Sequence, residues 1–496
     1  MTTRDGHYLA FDLGAESGRA MLGWREGERL HTEIVHRFPN RPVQTADGLH
    51  WDVLSLWAEI QQGLGLAAAH SKGGLASVGV DTWGSDFALL DRQGVLVANP
   101  WHYRDQRTDG MQELVELVVP RADLYAQTGN QSMRQNTLLQ LMAMVRQGSP
   151  LLESAHTLLM IPDLFHFWMT GARSVEFSSA TTTQFYDPRA GRWATELLAS
   201  LGLPGHLLPP IAAPGTGLGP LAPWLQELCG CGPLDVVLPL THDTGSAVAA
   251  APVTEPGFAF ISSGTWSLVG TEVPAPVIDP RGRALNITNE GGWNGTFRFL
   301  KNVLGLWLVQ ECRRTYAREG RQYTYEELTT LAAAAPGLRS IVDPDDVAFF
   351  APGDMPARIA AYCHRTGQPV PDGVGATVRC ALEGLALKYR YVIESIETIL
   401  ARHLSPIVVL GGGARNALLN QFTADALQRT VIAGPVEATA LGNLVVQMIG
   451  RGELANLQEA RALIRASTPL TTYTPGDAAD WDAAYTRLRQ LMQQSN

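Results

Sequence analysis

The stretch YLAFDLGAESGRAMLGW near the start of the chain returns in altered form as GFAFISSGTWSLVGTEV at 257–273. Each copy is an apolar run, a small-residue turn and a second apolar run. A buried strand reads as a continuous apolar run, and Gly with Ser or Thr supplies the turn. A strand–turn–strand unit that recurs after roughly 250 residues argues for a duplicated fold, two related halves with a site between them. The length of 496 residues agrees: it is too long for one ordinary core and suits two large domains or three small ones.

The first half opens with YLAFDLG (8–14), RAMLGW and LHTEIVHRF as three strands joined by turns, an antiparallel meander. DVLSLWAEIQQGLGLAAA (52–69) has helical spacing, with Asp52 as its cap. LASVGVDTW (75–83) is a strand, and DFALLDRQGVLVA predicts a hairpin around Arg92-Gln93-Gly94. From 105 to 234, helices alternate with Pro/Gly-rich loops, and DVVLPL (235–240) is a short buried strand. After its own strand pair, the second half continues with a helix over NVLGLWLVQECRRTYA and a long one near 375–402. The strand PIVVLGGG (406–413) follows, then helices near 416–428, 437–450 and 477–493. The order is mixed α/β with an antiparallel start, not a plain βαβ repeat.

Composition removes several function classes. Hydrophobic residues make up 45% and charged residues 17%, as in a globular protein, and the formal charge is -10. Without a basic run or stripe, nucleic acid is not an expected partner. No apolar stretch reaches the roughly 18 residues a membrane span needs. The N-terminal segment has no apolar h-region, which points to the cytosol. Five cysteines (Cys229, Cys231, Cys312, Cys363, Cys380) read as reduced thiols, and Cys229-Gly230-Cys231 is too close for a usual zinc knuckle. No coiled coil or exposed repeat marks an oligomer interface.

Five stretches can carry chemistry. Asp12 to Arg19 is a Gly-flanked turn after a strand, either an ordinary hairpin or a cradle for phosphate. Ser262-Ser263-Gly264-Thr265 is the matching turn in the second half. Gly411-Gly412-Gly413 ends a strand and opens a helix with Asn416 as cap; it is a tight turn or a close approach to a nucleotide. Asp81, Trp83, Gly84 and Asp86 suit a polyhydroxy ligand, or else a packed tryptophan beside a turn aspartate. The last is THDTGSAV (241–248). Asp243-Thr244-Gly245 spells an aspartic-protease signature, but a protease needs two such carboxylates and the chain holds no second copy. The other readings are a helix start stabilised by the helix dipole and a carboxylate aimed at a ligand, with His242 as a hydrogen-bond partner or a packed ring.

Taken together, DLGAESGRAML, VDTWGSDFALLD, YRDQRTDGM, ATTTQFYD, THDTGSAVAAAP, SSGTWSLVGTE, NITNEGG, FLKNVLGLWLVQE and GGGARNALLNQFTADALQRTVIAGPVEATALGN resemble the FGGY family of carbohydrate kinases, in the actin-like ATPase superfamily, over nearly the whole chain. The resemblance implies an α/β fold of two actin-like ATPase (ribonuclease H-like) domains, 1–245 and 246–496, with an interdomain active-site cleft. It implies phosphoryl transfer from ATP, with Mg2+, to O1 of a ketose. L-Rhamnulose is the expected acceptor, L-fuculose and D-xylulose the alternatives, and a non-catalytic sugar sensor the reading from another class.

Roles carry over residue by residue. Asp243 matches the catalytic base, and Ala15, Glu16, Ser17, Gly18 and Arg19 match the first phosphate hairpin. Thr265 matches a phosphate contact, and Gln310 and Gly412 match nucleotide contacts. Gly84, His242, Thr244 and Asn302 match sugar or active-site positions, and Asp12 an acidic residue that reaches Mg2+ through water. Two positions depart from the family: Ala15-Glu16 in the first hairpin, and Asn443, where alanine often follows Leu-Gly.

Overall fold

The computed structural model describes residues 6–71 and 74–494. Met1–Asp5, part of the segment read above as lacking a leader, lie outside the described residues. The chain gathers into two compact units. One holds the described residues up to Thr254 with Glu272–Phe299 and Ala438–Ser467; the other holds Glu255–Thr271, Leu300–Glu437 and the described residues from Thr468 on.

The first unit is built on a six-stranded sheet. Its order is Gly217–Pro220, Asp235–Val237, Leu75–Thr82, His7–Leu13, Ser17–Glu26, Arg29–Pro39. The last three form the expected antiparallel meander, while His7–Leu13, Leu75–Thr82 and Asp235–Val237 run parallel. Every residue of His7–Leu13 after His7 is buried, as a central strand covered on both faces requires. Side chains alternate between those faces. Phe11 meets Gly63 of the helix Val53–His70, so closely that a Cβ there would lie 2.5 Å from the ring. On the opposite face Ser77, Gly79 and Asp81 meet Asn443 and Gln447 of the helix Ala438–Gly450. Asp52 caps Val53–His70 as predicted, accepting from Ser55 N at 3.1 Å.

The second unit repeats this plan. Ala259–Ser263 pairs antiparallel with Trp266–Val273 and parallel with Ile407–Leu410. Ile407–Leu410 pairs parallel with Val431–Ala433, which is flanked antiparallel by Thr471–Tyr473. The sequence echo is therefore a repeated topology: a hairpin whose first strand lies beside two parallel strands and an antiparallel edge. Asn416 caps Ala417–Leu427, accepting from Leu419 N at 3.0 Å.

One local expectation gains a further partner and one is corrected. The hairpin over DFALLDRQGVLVA closes around Arg92-Gln93-Gly94, with Asp91 N on Val95 O and Val97 N on Leu89 O, each at 2.9 Å, and Leu90 bridging Leu96 antiparallel. Phe87–Leu90 also pairs along its whole length with Thr157–Met160, a fully buried strand. The helix expected over NVLGLWLVQECRRTYA begins only at Trp307, because Asn302–Leu304 finish the strand Phe297–Leu304. Gly305 allows the change of course: a Cβ there would sit 2.5 Å from Ser267 Oγ. All five cysteines are free, and among the described residues no helix is long and apolar enough to cross a membrane.

Candidate active site

In the first unit the parallel strands end in acid. Asp12 stands opposite Asp81 in the parallel ladder and opposite Arg19 in the antiparallel one. Arg19 Nε lies 3.5 Å from Asp12 Oδ2. Asp81 is fully buried and accepts from Asn443 Nδ2 at 2.6 Å. Burial, then the Asp12 carboxylate, pushes Asp81 well above the usual carboxylate range, against the pull of the Asn443 donor. Its Oδ1 is buried without a hydrogen-bond partner. Asn443, the departure from the family pattern, thus acquires a structural account. It donates to Asp81 and Gly79 O and accepts from Gln447, which also binds Ser77 and Leu9 O.

The next segment carries THDTGSAV. Thr82 N donates to Thr241 O at 2.9 Å, so Thr241 extends the parallel edge. Buried Glu176 ties this segment down, accepting from Thr241 N and Oγ1, each at 2.9 Å, and from Ser178. Ser178 Oγ in turn accepts from His242 N at 3.1 Å. The helix Asp243–Ala249 then starts with His242 as N-cap and Asp243 in its first turn. Asp243 is therefore not the cap itself. Its Oδ1 accepts from Thr244 N at 2.6 Å and from Thr244 Oγ1 at 3.2 Å. The side chain stays 32% exposed, the only partly open carboxylate beside buried Asp12 and Asp81.

His242 is buried between two sets of neighbours. Nε2 lies 3.4 Å from Asp243 Oδ1, and a Cβ on Gly84 would come within 3.1 Å of that nitrogen. Nδ1 lies 3.2 Å from Arg298 Nη2 and 3.3 Å from Glu290 Oε2. Glu176, Glu290 and Arg298 were not predicted as site residues. Arg298 does leave a signal: a lone charge in the run FRFL, where every residue is buried.

The structure splits the proposed polyhydroxy stretch. Asp86 is fully buried and accepts from Trp51 Nε1 at 2.6 Å, Trp83 Nε1 at 2.9 Å, Tyr103 N at 3.2 Å and Gln140 Nε2 at 2.8 Å. Trp83 packs 4.0 Å from Trp51. Both side chains are spent on the core. Gly84, against His242 and Thr182, and Asp81, beside Asp12, remain at the site.

The first hairpin closes through Gly14 N to Ser17 O at 3.0 Å, with Asn40 N on Glu16 O at 3.0 Å and Asn40 Nδ2 on Gly14 O at 2.9 Å. Glu16 is exposed, Ala15 and Ser17 half-buried. Gly18 has a packing reason of its own: a Cβ would meet the Phe38 ring at 2.3 Å.

In the second unit, Thr265 O and Gly264 O accept from Gly305, Leu306 and Trp307 N, which binds the second hairpin to the start of the helix Trp307–Arg318. Gln310 lies on that helix, its Oε1 buried without a hydrogen-bond partner. Gly413 presses on Ser263, where a Cβ would fall 2.1 Å from Oγ, so the glycine turn and the second hairpin adjoin. Gly412 has no heavy atom within 4 Å of a built Cβ. A packed hairpin, an orphaned acceptor and open space over a glycine are what a nucleotide tail and base can use. Asn302 is in this unit, on Phe297–Leu304, apart from the other proposed substrate residues in the chain's division.

Sequence models of the FGGY family of carbohydrate kinases match here twice, the N-terminal domain over residues 7–249 and the C-terminal domain over 259–451. The chain belongs to that family and is a carbohydrate kinase using ATP as phosphoryl donor. Among curated relatives, it is 42% identical to a rhamnulokinase of Bacteroides thetaiotaomicron, covering 98% of this chain and 99% of that one. It is 40% identical to a rhamnulokinase of Oceanobacillus iheyensis, covering 94% and 97%. The fold resembles a gluconate kinase from Lactobacillus acidophilus, with TM-score 0.81, 16% identity and coverage of 99% and 98%. A xylulose kinase from the same organism gives TM-score 0.80 at 15% identity, again covering 99% and 98%.

Proposed function

We propose that this chain transfers the γ-phosphoryl group of ATP to O1 of L-rhamnulose, giving L-rhamnulose 1-phosphate, with Asp243 as general base. The observation that carries this is how Asp243 is held. Both Thr244 donors converge on Oδ1, which supports a reading in which Oδ2 takes the sugar hydroxyl. The hydroxyl proton passes to Oδ2 as its oxygen bonds to phosphorus and the bridging oxygen of ADP departs. A carboxylate accepts a proton only in its ionised form, and a loose phosphoryl-transfer transition state lets the hydroxyl proton leave late.

Gly84, His242, Thr244 and Asn302 contact the sugar in this reading. Ala15 to Arg19 and Thr265 hold phosphates, and Gln310 and Gly412 the nucleoside. The functional division falls at 245/246, with 1–245 carrying the base, the first phosphate hairpin and most sugar contacts, and 246–496 the nucleotide site and Asn302. Mg2+ takes hard oxygen ligands and keeps several waters. Asp12 beside Asp81, whose Oδ1 is orphaned and buried, fits that donor set. Asp12 would hold the ion through water, and the bound ion would neutralise charge on the β- and γ-phosphates. An ATP-consuming enzyme with five free thiols suits a reducing compartment, so the proposal places it in the cytoplasm.

A coupled ADP-release assay across a ketose panel tests the reading. The expected result is clear preference for L-rhamnulose. Absence of ADP release with every ketose contradicts the activity; preference for L-fuculose or D-xylulose replaces the acceptor.

A further inference from the structure

Behind His242 stands a buried ion pair that the phosphoryl-transfer scheme above does not use. Arg298 is completely buried. Its Nε donates to Gly291 O at 3.0 Å, which orients the guanidinium fork. Nη1 lies 3.3 Å from Glu290 Oε2, and Nη2 lies 3.2 Å from His242 Nδ1. The ring itself has little freedom: Ser178 Oγ holds its backbone N–H, and Gly84 abuts Nε2.

We propose that Arg298 is a positioning residue that fixes the tautomer of His242, making Nδ1 an acceptor and Nε2–H a donor toward Asp243. A guanidinium has five N–H donors and no acceptor. A hydrogen on Nδ1 would set N–H against N–H at 3.2 Å in a buried site. Glu290 is the competitor, since Oε2 lies 3.3 Å from Nδ1 and would draw the proton there. That oxygen stands within ion-pair distance of Arg298 Nη1, which balances its charge, while Nη2 is turned to Nδ1. Which nitrogen of a histidine carries the proton is set by the partner of the other.

The consequence reaches the base. With hydrogen on Nε2, His242 is a third donor on Asp243 Oδ1, at 3.4 Å, beside the two from Thr244. The carboxylate cannot rotate without losing all three, so Oδ2 stays turned to the acceptor. The opposite tautomer would present a lone pair to Oδ1 and loosen that hold. The effect on turnover rests on Asp243 being the base; the tautomer does not.

The experiment labels histidine with 15N in the full chain and reads tautomers from long-range 1H–15N correlations, without sugar or ATP. His242 is picked out from the 12 histidines by its absence in His242→Gln. The native protein is expected to show Nε2–H with unprotonated Nδ1. Arg298→Lys keeps a cationic donor and retains that pattern. Arg298→Met leaves Glu290 alone with the ring and shifts the proton to Nδ1. It lowers kcat about 10- to 100-fold, the usual cost of losing an orienting partner, with KM for ATP unchanged. Nδ1–H or a doubly protonated ring in the native protein at neutral pH overturns the proposal. So does Arg298→Met with the native tautomer and native kcat. If Arg298→Met does not fold, the native and Arg298→Lys spectra decide alone. Because no substrate is present, the tautomer result stands or falls apart from the kinase assay.

Discussion

Asp243 and Asp86 are aspartates of the same unit put to opposite uses by their surroundings. Asp243 keeps a third of its side chain open and spends one oxygen on Thr244. Asp86 spends both oxygens on Trp51, Trp83, Tyr103 and Gln140. Sequence could not separate a ligand carboxylate from a core one here. The donors to Asp86 come from 35, 17 and 54 residues away as well as from the adjacent turn. Despite its hydrogen bonds, burial pushes Asp86 up to about 6. The sign follows from proton counts. Between an unfolded value near 4 and that of the folded state, the native protein binds the extra proton, so stability from Asp86 is present at low pH and lost as pH rises through 6. Denaturant titrations of the native protein and Asp86→Asn are expected to diverge across that window. The native protein loses about 3 kcal/mol relative to the variant, and the gap stays constant above pH 7. A pH-independent gap contradicts the assignment.

At the scale of elements, strands whose partner is next in the chain were readable. The meander 7–39 and the hairpin 259–273 pair locally, and their apolar runs and small-residue turns say so. Phe87–Leu90 was half legible: the turn after it closes its end onto Leu96 and Val97, but its full-length partner, Thr157–Met160, is remote. Asn443 was opaque for the same reason: its partner Asp81 is 362 positions away. The helix that carries Asn443 also packs against the helix that carries Asp243. A Cβ on Gly442 would fall 1.7 Å from Ser246 O. Gly442→Ala must therefore push those helices apart, at a cost of about 1–3 kcal/mol. Thermal unfolding should register the loss, and kcat should fall with it because Asp243 moves. Unchanged melting and unchanged kcat would show that the contact is not close in solution.

For the whole molecule, duplication was the most legible property, since one echo announced a strand order shared by two sheets, one of six strands and one of seven. The proposed site residues Ala15 to Arg19, Thr265 and Gly412 stand in small-residue turns at strand ends, a pattern the sequence displays. The support behind them was not: Glu176, Glu290 and Arg298 act through contacts that only the folded chain makes. A division of labour follows from the proposed function. Gly412→Val, whose Cβ would meet no neighbouring atom, is expected to raise KM for ATP roughly tenfold, about 1.4 kcal/mol, and to leave KM for the sugar alone. Gly84→Ala, which presses on His242 and Thr182, should do the reverse. Steady-state kinetics with each substrate varied in turn reads both, and crossed effects would contradict the assignment.

The central claim is that Asp243 takes the proton from the sugar hydroxyl. Its most direct test is Asp243→Asn, with turnover of L-rhamnulose and calorimetric binding of ADP measured on the same preparation. Losing the base should cut kcat by about 100- to 10,000-fold while ADP binds as it does to the native protein. Turnover within a few-fold of native, or ADP binding lost in step with turnover, would contradict the account.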